Sequence, residues 1–181
     1  MFVVDNDLWV HVPPSSDVHD EGLVCSGGYS VENDLYSDGE LEEFLTHGER
    51  AIFKSELSQF LRWYALAVSR HLKGETEHSF RTHPGKVLDD PDHLNQQLVL
   101  QEGEEYPAVF LDEISTQYHV ILRGKSLFAL LLRRLSHKNR DIKFSSKQLM
   151  AIGAARKGNN YSRIKDGIVK ALESQGVPTS C

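Results

Sequence analysis

The sequence predicts an α/β protein in which two short strands precede a mostly helical region. The apolar run at 2–4 leads directly into polar residues, and a second apolar run at 23–25 is followed by Gly27 and Gly28. Short apolar runs bounded by turn-forming residues are typical of strands. From residue 50 onward, apolar side chains recur at three- and four-residue spacing, which is the period of a helix.

Capping and stop residues predict where the helices begin and end. Ser30 is a favourable N-cap, so a helix should follow it with Glu32 in its first turn. Ser37 and Glu40 have the spacing of a capping box, which predicts a short helix that ends at Gly48. Further helices are predicted over 50–73, 108–121, the apolar stretch around 127–132, 146–157 and 162–174. Residues 74–107 are polar and irregular, and no element is predicted there.

Composition excludes several classes of protein. The chain is 40% hydrophobic and 25% charged, which is typical of soluble globular proteins. No apolar run approaches the roughly 20 residues of a membrane span, and the start has no export-signal pattern. Cys25 and Cys181 share no motif spacing, which favours a reducing compartment. We therefore expect a cytoplasmic protein with no membrane partner.

Charge is distributed unevenly along the chain. Residues 1–43 carry 11 acids and no Lys or Arg, whereas residues 123–181 carry 13 bases and 3 acids. Such asymmetry indicates contact between the basic end and nucleic acid, either DNA or RNA. The alternative is that the two ends pair with each other. The residues predicted to contact nucleic acid are Arg123, Arg133, Arg134, Lys147, Arg156 and Lys157.

Two carboxylates follow the first predicted strand. In an extended segment Asp5 and Asp7 point to the same side and Asn6 to the other. Carboxylates this close together, at the end of a buried strand, repel each other unless a cation lies between them, and Mg²⁺ or Mn²⁺ prefers such oxygen ligands. The alternative is that both residues only form a turn.

The second strand is followed by Ser30 and Glu32. If the two strands are parallel neighbours, their carboxyl ends lie side by side, where open α/β sheets hold ligands. That arrangement would bring Glu32 to Asp5 and Asp7. The alternative is that Ser30 only caps the helix and Glu32 only favours its dipole.

Lys125 could neutralise phosphate or transition-state charge if it faced these acids, or it could be a solvated residue at a helix end. The chain has no HxxxH, CxxC or HExxH spacing that would indicate zinc, and no Walker A, GxGxxG or GxSxG motif.

The segments FVVDND, GGYSVENDL and ILRGKSLFALLLRRL, in this order, resemble the bacterial domain-of-unknown-function 4435 family. That family is similar to the Toprim-like nuclease domain of the overcoming-lysogenisation-defect proteins. The resemblance covers roughly residues 1–45 and 110–140. It implies metal ligation by Asp5, Asp7, Ser30 and Glu32, charge stabilisation by Lys125, and Mg²⁺ or Mn²⁺ as the cofactor.

The resemblance also implies a domain organisation. Residues 1–48 would form a partial Toprim-like parallel sheet with the metal site, and 49–181 a helical region that completes the same domain and ends in basic helices. Toprim domains carry an essential glutamate on an earlier strand, but Met1 lies only four residues before Asp5. We therefore expect either the C-terminal part of a longer enzyme or a shortened relative with a dismantled site.

Two functional hypotheses follow. The first is a divalent-metal-dependent nuclease domain, acting in phage defence with an ABC-type ATPase partner, as the family resemblance implies. The second is a non-catalytic interaction or regulatory module that binds an ATPase or another protein.

Overall fold

A computed structural model describes residues 2–12, 23–75 and 79–174. The two predicted strands are present as β1 (Phe2–Val4) and β2 (Leu23–Cys25), which pair in parallel with Val3 opposite Val24. The side chains of Phe2 and Val3 are 71% and 53% exposed. The prediction of a buried first strand is therefore wrong, because helix packing covers β2, against which the last helix packs, and leaves β1 exposed.

The first helix begins where the capping signal predicts. Helix α1 (Val31–Asp38) has Ser30 as its N-cap and Glu32 in its first turn. The prediction of a further helix up to Gly48 is wrong. Instead, Leu41–Phe44 form one turn of 3₁₀ helix, and Gly48 lies inside α2 (His47–Leu72).

A second capping box explains why α2 begins early. The Thr46 side chain accepts a hydrogen bond from the Glu49 amide at 3.3 Å, and the Glu49 carboxylate accepts one from the Thr46 amide at 2.9 Å. This reciprocal pair satisfies two amides that the helix itself leaves without partners. The boundary expected between residues 48 and 49 consequently falls in the first turn of α2.

The irregular segment 74–107 contains two short helices that were not predicted. These are α3 (Pro84–Leu88) and α4 (Pro91–Gln97), each with a proline in its first turn. Their caps are His83, whose ring accepts from the Gly85 amide, and Asp90, whose carboxylate accepts from the His93 amide. A proline in the first turn costs no hydrogen bond, because its missing N–H would have had no partner there.

Four helices complete the fold close to their predicted positions. They are α5 (Ala108–Ile121), α6 (Gly124–Leu135), α7 (Ser146–Arg156) and α8 (Asn159–Ser174). Helix α8 begins three residues before its predicted start, because the Asp38 carboxylate accepts hydrogen bonds from the amides of Asn160 and Tyr161 at 3.1 and 2.8 Å. That cap comes from α1 and could not be read from the local sequence.

The core is centred on α2 and α6. Phe53, Phe60 and Tyr64 of α2 and Leu127 of α6 are completely buried, and the same apolar cluster includes Tyr36 of α1. Helix α8 packs against β2, where Gly167 lies next to Val24. Within the described ranges, no helix combines the length and the hydropathy that a bilayer crossing requires.

Candidate functional site: a mixed-charge pocket at the strand ends

One cavity gathers residues from several distant segments. It has a volume of about 160 Å³ and is referred to below as the mixed-charge pocket. The parallel pairing explains part of this convergence, because the carboxyl ends of parallel strands meet at the same edge of a sheet. Its lining residues are Asp5, Asp7, Tyr29, Ser30, Glu32, Arg81, Arg123 and Lys125.

Asn6 fixes the chain as it leaves β1. Its side-chain amide donates hydrogen bonds to the carbonyls of Ser26 and Gly28 at 2.7 and 3.1 Å. Asp7 follows with a φ of 47°, so the chain turns instead of continuing as a strand. Asp5 and Asp7 both line the pocket as predicted. They do so because the chain turns at Asp7, and not because side chains alternate along an extended strand.

The Asp5 carboxylate lies at the start of α1. It accepts a hydrogen bond from the Val31 amide at 2.9 Å, which is one of the amides that a helix start leaves without an internal partner. The contact also places the acid at the positive end of the helix dipole. Asp5 therefore links the end of β1 to the helix that follows β2.

Ser30 and Asn33 hold the opposite wall. Ser30 is the N-cap of α1 and forms a capping box with Asn33, whose side-chain oxygen accepts from the Ser30 amide at 3.1 Å and from the Ser30 hydroxyl at 3.2 Å. The Asn33 amide donates to the carbonyls of His119 and Leu122, each at 2.9 Å. This bridge fastens α1 to the end of α5, directly before Arg123 and Lys125.

Glu32 is the least compensated acid of the pocket. Its side chain is buried, with 7% of the residue exposed, and among the described residues nothing donates a hydrogen bond to it or forms an ion pair with it. Burial of a carboxylate without a partner is costly. The start of α1 offsets part of this cost through its dipole. A ligand cation is the other compensation that this position allows.

Asp7 is held from two sides. It accepts a hydrogen bond from the Tyr29 hydroxyl, and the Arg81 guanidinium approaches its other oxygen at 3.4 Å. Burial and the neighbouring Asp7 carboxylate raise the pKa of Tyr29. Burial lowers the pKa of His11, whose ring centroid lies 6.0 Å from that of Tyr29, to about 4. His11 is therefore neutral at pH 7, and Tyr29 remains a donor toward Asp7.

Two of the three cations in the pocket are available to a ligand. In the described part of the chain, no carboxylate pairs with the side chains of Arg123 or Lys125, whereas Arg81 contacts Asp7. With three carboxylates and three cations in one small cavity, the net charge is near zero. Such a site can accept a metal cation on one side and an anionic group on the other.

The carboxylates of the pocket have the chemistry of ligands for hard metal ions, but they are not arranged as a metal-binding cluster. Across residues 2–12, 23–75 and 79–174, no group of three or more His, Cys, Asp or Glu side chains is positioned to hold a metal ion. Asp5 is engaged by the Val31 amide and Asp7 by Tyr29 and Arg81. The donor set suits Mg²⁺ or Mn²⁺, and the unpartnered Glu32 favours such an ion.

Three of the six basic residues predicted to contact nucleic acid form ion pairs within the protein. Arg133 and Arg134 pair with Glu56 at 3.2 and 3.1 Å, and Arg156 pairs with Glu40 at 2.7 Å. The other three are Arg123 in the pocket and the exposed Lys147 and Lys157.

The basic end of the chain pairs in part with the acidic end. Arg156 contacts Glu40, and Arg163 contacts Asp34 at 3.4 Å. The alternative explanation of the charge asymmetry therefore applies at these two positions.

Sequence reasoning missed two lining residues. Tyr29 precedes the N-cap of α1, a position where a hydrophobic residue often packs against the helix, and this signal could have identified it. Arg81 lies in the irregular segment 79–83, which has no periodicity to predict its direction. Its distance of 74 residues from Asp7 leaves no local pattern that links the two.

No protein-family model, no curated protein and no solved structure matches this chain.

Proposed function

We propose that this chain belongs to a Toprim-like nuclease domain that hydrolyses nucleic-acid phosphodiesters with the help of Mg²⁺ or Mn²⁺. The observation that carries the proposal is the mixed-charge pocket itself. Six residues selected from the sequence, in three separate segments, line this single cavity: Asp5, Asp7, Ser30, Glu32, Arg123 and Lys125. The proposed context is phage defence beside an ABC-type ATPase, as the family resemblance implies.

Each lining residue has a distinct role in this proposal. Asp5, Asp7 and Glu32, with the Ser30 hydroxyl, would hold the divalent cation. Arg123 and Lys125, which no carboxylate of the described residues pairs with, would contact the phosphate. When bound, the cation would supply an activated water and stabilise the leaving oxygen.

A cleavage assay tests the proposal. End-labelled single-stranded and duplex DNA and RNA are incubated with the protein in Mg²⁺, Mn²⁺ or EDTA. We expect cleavage only with metal and a loss of about 100-fold or more in Asp5→Asn and Glu32→Gln, because metal ions supply several kcal/mol of transition-state stabilisation. Glu113→Gln, an exposed acid on α5, is the control and should keep full activity. Metal-independent cleavage, or full activity in Glu32→Gln, would contradict the proposal.

The alternative is a non-catalytic interaction module. Two observations favour it: no ligand cluster is assembled among the described residues, and several C-terminal bases are used in internal ion pairs. Nucleic-acid binding that falls steeply with salt supports the nuclease, because each phosphate contact releases counterions. No salt-dependent binding and no cleavage would favour the interaction module.

Arg81→Gln should increase the affinity for Mn²⁺ several-fold. The Arg81 guanidinium competes with a metal ion for Asp7, and both side chains are about half exposed, so its removal should cost little stability. Isothermal titration with Mn²⁺ measures the change. Arg62→Gln, an exposed arginine on α2, is the control for the loss of one positive charge. Equal affinity in Arg81→Gln and wild type would show that Asp7 does not contact the ion.

A further inference from the structure

A second cavity adjoins the mixed-charge pocket. It lies between α6 and α7, has a volume of about 420 Å³, and is called the α6–α7 cavity below. Glu32 and Lys125 line both cavities, so the two are adjacent at these side chains. A molecule that passes these two side chains would contact both cavities.

The walls of the α6–α7 cavity differ from those of the mixed-charge pocket. They are mostly apolar, with Phe128, Ala129 and Leu132 from α6 facing Met150 from α7. The volume falls within the range of small-molecule sites, which are apolar with a few polar groups that set orientation. The cavity suits a flat apolar group of the size of a nucleobase and its sugar.

The lining of the α6–α7 cavity also includes polar groups that could contact the hydrogen-bonding edge of a base. The Nδ1 atom of His83 accepts from the Gly85 amide at 3.0 Å, so in the neutral ring Nε2 carries the proton and is a donor. The Ser146 hydroxyl, at the start of α7, is a second polar group of the lining. Arg133 also lines the cavity, but its guanidinium is paired with Glu56 and Asp89.

Lys125 stands at the junction of the two cavities. It is exposed, and no acid among the described residues pairs with it. A phosphate is the anionic group that a free ammonium attracts at such a place. A cationic group at the junction is thus next to the mostly apolar α6–α7 cavity. A nucleoside phosphate has a matching arrangement, with a charged phosphate next to a less polar base.

We propose that the α6–α7 cavity binds the nucleoside whose phosphate is held at Lys125. The proposal rests on the function proposed above and adds a preference for a single-stranded or unstacked nucleotide. A base inside a duplex is stacked and paired, so it cannot enter the cavity unless it leaves the helix, which costs a few kcal/mol. A free nucleotide and one nucleotide of a single-stranded polymer both present an unstacked base next to a phosphate.

The test measures the contribution of the base without relying on cleavage. The probes are a fluorescent 12-nucleotide oligothymidylate and a chain of equal length whose units are all abasic, and binding is followed by anisotropy in EDTA. Both probes carry the same phosphates, so their difference reports the base alone. We expect the oligothymidylate to bind about 10-fold or more tightly, in line with the effect of base contacts in single-strand sites. Equal affinity for the two probes would overturn the proposal.

A cavity-filling variant locates the effect. Ala129→Phe should abolish the preference for the base-containing probe, and Ala155→Phe, an exposed alanine on α7 outside the cavity, should retain it. The probe comparison in the wild-type protein stands even if Ala129→Phe folds poorly, which a thermal melt would reveal. A folded Ala129→Phe that keeps the full preference would overturn the assignment to this cavity.

Two further experiments identify what occupies the cavity and distinguish this proposal from the proposed nuclease function. If thymidine monophosphate competes with the probe in the wild-type protein but not in Ala129→Phe, the cavity also binds free nucleotides. If it does not compete in the wild-type protein, the cavity binds only a residue of the polymer. The duplex form of the probe should bind at least 10-fold more weakly than the single strand, and equal binding would overturn the proposal. Base preference without metal-dependent cleavage would refute only the nuclease, whereas cleavage without base preference would refute only the cavity assignment.

Discussion

Arg70→Met is expected to lower the free energy of unfolding by about 3–5 kcal/mol, the cost of removing one partner from a buried ion pair. Arg70 of α2 and Glu104 are both buried, with side chains 5% and 6% exposed, and their closest atoms are 2.7 Å apart. Arg70 also donates to the carbonyls of Gln97 and Val99 at 3.0 and 2.8 Å. Its loss would remove the donor to these two carbonyls and would leave the buried Glu104 carboxylate with only the Gln101 amide, at 2.9 Å, as a donor.

Urea denaturation at pH 7, followed by circular dichroism, measures this effect. Arg62→Met is the matched control, because Arg62 is an exposed residue on the same helix, and its change in stability should remain within about 0.5 kcal/mol. An equal loss in the two variants would show that the ion pair with Glu104 is not the cause.

The loss should depend on pH in a defined direction. Hydrogen bonds from Arg70 lower the pKa of Glu104 to about 2, from the ordinary value of 4.5. A carboxyl with a lowered native pKa contributes its stability fully above about pH 4.5, and loses it as the pH falls toward the native value. The difference in unfolding free energy between wild type and Arg70→Met should therefore shrink between pH 5 and pH 3.

Local signals were sufficient to predict most of the secondary structure. The apolar run at 23–25, the Ser30 cap and the periodicity of α2 each depend on neighbours within one or two turns, so they can be read from sequence. The short helices α3 and α4 have too few residues for a periodic pattern. The early start of α8 depends on Asp38, which is 122 residues away from Asn160.

The site could be predicted only where it depends on strand ends. Asp5 and Glu32 follow consecutive strands, and parallel pairing brings such positions together. Arg81 reaches the pocket from an irregular segment, so its position follows from tertiary packing alone. The engagement of Asp7 by Tyr29 and Arg81 was also unpredictable, because side-chain pairing in a pocket depends on three-dimensional distances.

Gly124→Ala should disturb both the fold and the mixed-charge pocket. Gly124 begins α6 and lies against the start of α1, where an added Cβ would come within 2.3 Å of the Ser30 hydroxyl oxygen and 2.7 Å of the Glu32 Cβ. Non-bonded atoms cannot approach so closely, so α6 must move away from α1. Overpacking of this kind costs about 1–3 kcal/mol.

The same displacement should weaken the proposed ligand sites, because Lys125 is the next residue and Glu32 forms the opposite wall. We expect Mn²⁺ affinity and oligothymidylate affinity to fall together in Gly124→Ala, with the fold otherwise retained in circular dichroism. Gly48→Ala is the matched control: nothing lies within 4 Å of an added Cβ there, and the replacement of a helical glycine by alanine should stabilise the protein by about 0.5–1 kcal/mol. If Gly124→Ala kept wild-type stability and both affinities, the close contact between α1 and α6 would not determine the shape of the pocket.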